Sequence, residues 1–311
     1  MLIFYYEGRE VILEEVNISG GTYYFVKGYR DDDKFRKSFN KLAEKIHDIN
    51  FEEWYRKGYW NDRYIPYSIL CGNDIISNVS VNVMDFNAFG KSKRFIQIGT
   101  VMTDSKYRDL RLSRFLMERV ICEWKDRCSL IYLFANDTVL DFYPKFGFNK
   151  AEEYQYSKNI VNDNLNIQFE KLNMDDVDKR KFVCEKIKNS IAYSKLAMEQ
   201  SVDLIMFYSI GYMKENVYYI KDYDIIVFAE FNVDTLIIMD IYGENNIRLD
   251  TIINALADEN IKHVILGFAP SDEWLYDIES YHEENTTLFV MGTDSGLFKE
   301  NKLKFSPLSH A

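Results

Sequence analysis

The chain has 311 residues, a length that points to two domains, and its 47% hydrophobic and 28% charged content excludes a disordered, collagen-like or rod-like protein. Thirty-eight lysines and arginines stand against 49 acids, and the net charge of −11 argues against the clustered basic surface that nucleic acid requires. An acidic chain of this kind favours a cationic partner.

Four cysteines without a CxxC pair, together with four histidines, supply no convergent metal ligands, so no metal is expected and the thiols read as free, in a reducing compartment. The N-terminus reaches Glu7 too early for a signal peptide, and the most apolar stretch, Ile225 to Ile241, carries Glu230, Asp234 and Asp240. A cytoplasmic protein without a membrane partner is expected, its oligomeric state left open.

In chain order, Thr22–Tyr29 reads as a strand, followed by a helix over Asp31–Asp48 in which Phe35, Phe39, Leu42 and Ile46 recur at helical spacing. A short helix around Phe51–Tyr59 precedes three strands, Ile65–Cys71, Ile75–Met84 and Arg94–Met102. An amphipathic helix runs from about Leu110 to Asp126, on the row Leu112, Leu116 and Val120. Ser129–Ala135 is apolar throughout and reads as a strand buried on both faces. A short helix over Thr138–Lys145, ended by Gly147, and a strand at Glu153–Lys158 close this half.

Val161–Asn166 is polar and turn-prone and reads as the linker between domains at 1–160 and 165–311. Beyond it, strands at Val217–Tyr223, Ile225–Phe231 and Thr235–Tyr242, a helix at Ile247–Glu259 and a buried strand at Val264–Ala269 repeat part of the earlier order. The expected fold class is α/β with mixed sheets, built as two tandem related domains of which the second is degenerate. Two unrelated α/β domains are the alternative.

Chemistry concentrates between the third strand and the amphipathic helix, at Val101-Met102-Thr103-Asp104-Ser105-Lys106-Tyr107-Arg108-Asp109-Leu110-Arg111-Leu112-Ser113. A strand entering a helix through a short turn presents unpaired N–H groups and the positive end of the helix dipole, which suits a pyrophosphate. Together with Phe142-Tyr143-Pro144-Lys145-Phe146-Gly147-Phe148, this segment resembles the GCN5-related N-acetyltransferase (GNAT) superfamily over about residues 22–158. Val101, Arg108 and Ser113 fall in register with the family's V-x-P-x-x-R-x-x-G-x-G/A motif. Asn136 and Phe142–Phe148 follow its second signature, an aromatic F-Y-x-K-x-G-F run after a strand ending in Asn. Arg111 stands where the first motif glycine belongs, and Ser113 replaces the second Gly/Ala.

The resemblance implies an acetyl-CoA-dependent N-acetyltransferase that needs no metal. Across the Val101-Met102-Thr103 stretch, backbone groups of Val101 and Thr103 would pair with the pantetheine arm, and N–H groups of Arg108, Asp109, Leu110, Arg111, Leu112 and Ser113 would hold the pyrophosphate. Asn136 joins the cofactor-binding set, and Tyr143 would protonate the departing thiolate. The acceptor would be a small-molecule or peptide amine, a cationic one by the charge argument: a polyamine, an aminoglycoside-like drug or a lysine side chain. No carboxylate lies within Arg94–Thr100 to act as base. Asp85 and Asp104 are the nearest acids, and the terminal carboxylate of Ala311 is a third possibility, while His310 reads as a mobile tail residue. A CoA-binding or interaction module that has lost its chemistry is the rival reading, motivated by the altered glycine motif and the missing base.

Overall fold

The computed structural model describes residues 2–6, 9–160 and 167–310, with side chains from Val11 onward; the linker at 161–166 and Ala311 lie outside the described residues. The first half runs β1 (Leu2–Tyr6), β2 (Arg9–Ile18), β3 (Gly21–Lys27), α1 (Asp33–His47), α2 (Glu52–Arg56), β4 (Tyr64–Cys71), β5 (Asp74–Ala88), β6 (Lys91–Thr103), α3 (Leu112–Trp124), β7 (Leu130–Ala135), β8 (Asn149–Lys150) and β9 (Glu153–Asn159). The second runs β10 (Phe169–Lys171), α4 (Val177–Lys188), β11 (Leu196–Glu199), α5 (Val202–Ile210), β12 (Val217–Ile220), β13 (Ile225–Asn232), β14 (Thr235–Tyr242), α6 (Leu249–Leu256), β15 (His263–Leu266), β16 (Asp277–Tyr281), β17 (Thr287–Met291) and α7 (Leu297–Asn301). From β3 and β10 onward each half repeats strand, two helices, a three-stranded meander, a helix and a parallel strand, except that β11 adds an edge strand to β5. The tandem expectation is met at the level of two sheet-bearing halves of mixed α/β class.

Local chemistry explains several boundaries. Asp32 caps α1 by accepting from the N–H groups of Lys34 and Phe35, and Asp48 ends the helix in the left-handed conformation. Phe39, Leu42 and Ala43 form its buried face, as the spacing predicts. The helix expected over Thr138–Lys145 is instead two single turns, Asp137–Val139 and Tyr143–Phe146. Pro144 contributes to the break, because it has no N–H to donate back to the Leu140 carbonyl and so starts a new turn.

The two sheets are completed by exchange. The first is ordered β1-β2-β3-β4-β5-β6-β7-β17-β8, the second β10-β12-β13-β14-β15-β9-β16. Thus β17, from the end of the second half, lies antiparallel to β7 from Thr287↔Ala135 to Met291↔Ile131 and also pairs with β8. Reciprocally, β9 leaves the first sheet and pairs with β15 and β16, as Leu266↔Tyr156 and Tyr281↔Glu153 show. The strand expected to close the first half therefore forms where predicted but closes the second.

Side chains of β7 alternate between two cores. Ile131, Leu133 and Ala135 pack with Leu116, Met117 and Val120 of α3, while Leu130 and Tyr132 join the large core shared with the second sheet. Phe134 packs against that shared core.

Candidate functional site

The parallel pair β6–β7 is the place to build from. Its pairing covers Phe95↔Leu130, Ile96↔Ile131 and Gln97↔Tyr132, then stops, although both strands continue. From Ile98 onward β6 has no strand partner on that side among the described residues. Opposite, its register with β5 slips between Ser80↔Gly99 and Asn78↔Met102, and the extra residue puts Thr100 at a φ of 48°. The bulge is held from below: the Asn78 amide donates to the Thr100 carbonyl at 2.9 Å, and the Tyr64 and Thr100 hydroxyls lie 2.8 Å apart. The carbonyl of Val101 takes a hydrogen bond from His47, whose pKa burial pushes down. The result is a wedge-shaped gap with an open strand edge, the geometry in which an extended arm adds as a strand.

At the wide end of the gap, the two predicted motifs meet. Thr103, Tyr107, Arg108, Asp109, Arg111, Leu112, Ser113 and Arg114 line one cavity of about 420 Å³ together with Phe142, Lys145 and Phe146. Asp104 starts the turn by accepting from the Lys106 N–H, and its ion pair with Lys45 at 2.7 Å holds its carboxyl below the usual range. Asp109 and Arg111 both have left-handed backbones, φ 64° and 63°, and Arg111 is the N-cap of α3 rather than a first-turn residue. The first turn of α3 leaves its N–H groups without helical acceptors. Thr103 Oγ1 bridges Ser113 Oγ at 2.7 Å and Ser77 Oγ at 2.8 Å, which ties the strand end to the helix start. Arg108 and Arg111 are exposed and make no ion pair among the described residues, whereas Arg114 is held by Glu118 at 2.8 Å. Two uncommitted guanidiniums and a set of free N–H groups converge there, a donor set that fits a pyrophosphate.

Of the remaining predicted residues, Met102 is buried against the α1 core and Val101 lies at the gap. Asn136 accepts from Thr138 N–H at 3.0 Å and caps the turn after β7; it is not among the residues lining the cavity. Tyr143 is 5% exposed, and its ring packs on Phe142, Phe148 and Phe289, the last from the exchanged β17. Burial pushes its pKa up to about 12, so the hydroxyl stays protonated.

Neither nearby acid is free. Asp85 is paired with Arg63 at 3.2 Å and Arg94 at 2.9 Å, and Asp104 is committed as described. The Ala311 carboxylate lies outside the described residues. The tail expectation for His310 is corrected: residues 303–310 are threaded into the protein, with Leu303, Phe305 and Leu308 fully buried. Tyr132 donates to the Ser309 carbonyl at 2.9 Å, Tyr208 donates to that of His310, and Phe305 stacks on Tyr132 at 4.1 Å. Nothing in the local sequence announces this, since one histidine beside an alanine carries no periodicity.

The second half offers a contrast at the equivalent place. Pairing of β14 with β15 runs through four residues to Ile238↔Leu266, and Gly267 N–H continues it by donating to the Ile238 carbonyl at 2.7 Å. Ser306 Oγ donates to the Met239 carbonyl at 3.2 Å, and Pro307 lies against Gly267. The chain's own strap fills the place that is open in the first half. Arg248-Leu249-Asp250 starts α6 as Arg111-Leu112-Ser113 starts α3, a correspondence missed from the sequence, but the cavity there is only about 160 Å³.

Residues 33–151 match the family model for the acetyltransferase (GNAT) domain. Over those residues the chain carries a GNAT acetyltransferase domain. No curated protein matches it. Among solved structures, a GCN5-related N-acetyltransferase from Kribbella flavida aligns at 14% identity with a TM-score of 0.53, covering 91% of this chain and 72% of that one. A conserved protein of unknown function from Enterococcus faecalis, described as a probable N-acyltransferase, aligns at 12% identity and 0.54, covering 94% and 74%. Eis1 from Mycobacterium abscessus aligns at 11% and 0.52, covering 86% and 72%. At these identities the likeness is one of fold, and it extends over both halves of this chain. No helix among the described residues is long and apolar enough to cross a membrane. No cluster of three metal-ligating side chains occurs among them.

Proposed function

We propose that this protein is an acyl-CoA-dependent N-acetyltransferase that transfers an acetyl group to a primary amine by direct attack within a ternary complex. The observation that carries the reading is the single cavity in which the 103–114 loop, with Arg108 and Arg111 uncommitted, meets Phe142, Lys145 and Phe146 at the mouth of the β6–β7 gap. Acetyl-CoA supplies the acyl group as a thioester. Arg108, Arg111 and the first-turn N–H groups up to Ser113 would hold its pyrophosphate, and the open edge at Val101 and Thr103 would align its arm. Tyr143, kept protonated by burial and flanked in sequence by the cavity-lining Phe142 and Lys145 though not itself part of the lining, would return a proton to the departing sulfur. Fixing both substrates across one gap supplies much of the acceleration through proximity.

The same reading divides the chain into domains at 1–160 and 165–311, the second a degenerate GNAT-like domain, and gives the protein a cytoplasmic location. The acceptor is an amine, cationic if the net charge of −11 also reaches the cleft. The rival, a CoA-binding module without turnover, is favoured by two observations: Asp85 and Asp104 are both committed to cations, and Arg111 replaces a glycine. A thiol-release assay with acetyl-CoA across spermidine, an aminoglycoside and a lysine peptide separates the two. Amine-dependent release supports the transferase; tight CoA binding with no release from any acceptor supports the module.

A further inference from the structure

The gap between β6 and β7 has two faces. The nucleotide-end cavity and Tyr143 lie on the α3 side, because Tyr143 belongs to the core that contains Leu112, Leu116 and Met117. An acyl group passing through the gap therefore meets its acceptor on the other side, the side onto which Gln97, Tyr132 and Phe134 project by strand alternation. Tyr132 is the last residue of β7 paired with β6, and Phe134 is the next residue on that face. The ring of His310 stacks on Phe134 with centroids 3.7 Å apart, so the imidazole stands where the strands part.

His310 is placed there by several contacts. Its N–H donates to the Pro307 carbonyl at 3.4 Å, its carbonyl accepts from Tyr208, and Ser309 is tied to Tyr132. Its Nε2 is buried and has no hydrogen-bond partner among the described residues. An engaged backbone and a vacant ring nitrogen at the edge of a reaction gap need an explanation, since a buried polar atom without a partner has given up its water for nothing in return.

We propose that His310 is a catalytic residue of the transferase, its Nε2 receiving the proton that the attacking amine sheds. This rests on the N-acetyltransferase reading above. In the tautomer protonated at Nδ1, Nε2 presents its lone pair to the amine N–H. As the nitrogen–carbon bond forms, the amine proton passes to Nε2; as the carbon–sulfur bond breaks, Tyr143 returns a proton to sulfur. Both groups recover through solvent, and no proton is gained or lost overall. Burial and the nearby Lys304 ammonium push the imidazole pKa down, so the resting ring is neutral with its lone pair free, and it takes the proton only as attack makes the amine nitrogen positive and acidic. The two proton-handling groups then lie on opposite faces of one gap, each on the side where its proton is needed.

The test compares His310→Phe and His310→Ala with the wild type. Phenylalanine keeps a ring on Phe134 and removes only the nitrogen. We expect an unchanged Tm and acetyl-CoA Kd for His310→Phe, a loss of at least 10²-fold in kcat/KM for the best amine of the panel, and weaker calorimetric binding of that amine to the CoA-loaded protein. In His310→Ala, added imidazole should restore part of the rate. Wild-type kcat/KM and amine affinity in His310→Phe, in an enzyme whose wild type turns over, overturns the proposal alone. A wild type that releases no thiol with any amine overturns the transferase reading, and this proposal with it.

Discussion

In the first half β6 and β7 separate after Gln97 and Tyr132, and the space between them stays open; in the second, β14 and β15 stay together to Leu266 and the strap at Ser306–Pro307 covers the rest. Both halves have the parallel pair, the helix between and a bulge in the preceding strand, near Thr100 in one and Met239 in the other. The frame is therefore common to both, and the difference lies in what occupies the gap. Gly267 shows how tight the closed version is. A Cβ built there would stand 2.8 Å from the Met239 carbonyl oxygen and 2.9 Å from Pro307, so only glycine permits the approach. One half is shaped to admit an extended ligand; the other is sealed by its own chain.

The comparison can be broken in several ways. The largest effect is expected from Tyr143→Phe, which should lower kcat by about 10²–10⁴-fold while the acetyl-CoA Kd holds, because the hydroxyl acts only as charge develops on sulfur. Steady-state kinetics with unaltered turnover would return Tyr143 to a packing role. Next is Phe289→Ala. This ring is fully buried under Tyr143 but belongs to the second half of the chain, and its loss should cost about 3–5 kcal/mol in denaturant titration. Because the strands are exchanged, fluorescence and circular dichroism should report one shifted transition; a first half that melts separately would contradict the interlocked build.

Saturating acetyl-CoA should stabilise the chain by roughly 2.7 kcal/mol at 100 times its Kd, with a calorimetric stoichiometry near one. A stoichiometry of two would mean that the strap at Ser306–Pro307 does not keep the second gap shut. Gly267→Ala probes the seal, and overpacking there should destabilise by about 1–3 kcal/mol; an unchanged Tm would show that Met239 and Pro307 yield easily. The smallest effect is Arg111→Gly. Relief of the left-handed backbone at a φ of 63° should raise stability by about 1 kcal/mol, while loss of the guanidinium should weaken CoA and flatten the salt dependence of binding. Tighter binding by the glycine variant would exclude a phosphate role for Arg111.

Much of the first half was legible because its elements announce themselves locally. The periodicity around Phe39 and Leu42, the apolar run Leu130–Ala135 and the Phe142–Phe148 motif all form or meet where expected. The exchange was not legible. Glu153–Lys158 reads as a strand from the sequence, Thr287–Met291 is not among the strands read there, and which neighbour each one takes is decided by packing over long separations. The bulge at Thr100 was hidden for a related reason, since an unpaired residue is defined only against the partner strand β5. His310 was missed because burial in Leu303–His310 comes from contacts with Tyr132, Phe134 and Tyr208, far away in sequence. The acids near the gap were visible, but not that Arg63, Arg94 and Lys45 had claimed them.

The exchanged strands also have a consequence for synthesis on the ribosome. When β7 and β8 emerge, the strand that must lie between them is still about 140 residues from being made. At 5–20 residues per second that is a delay of roughly 7–28 s. Throughout it the nascent first half carries two unsatisfied strand edges and the uncovered rings of Tyr132 and Tyr143, the kind of surface that pairs with the wrong chain. The first sheet therefore waits on the arrival of β17, and a ribosome that stalls before Thr287 leaves that sheet without the strand between β7 and β8, while every strand of the second sheet is already made.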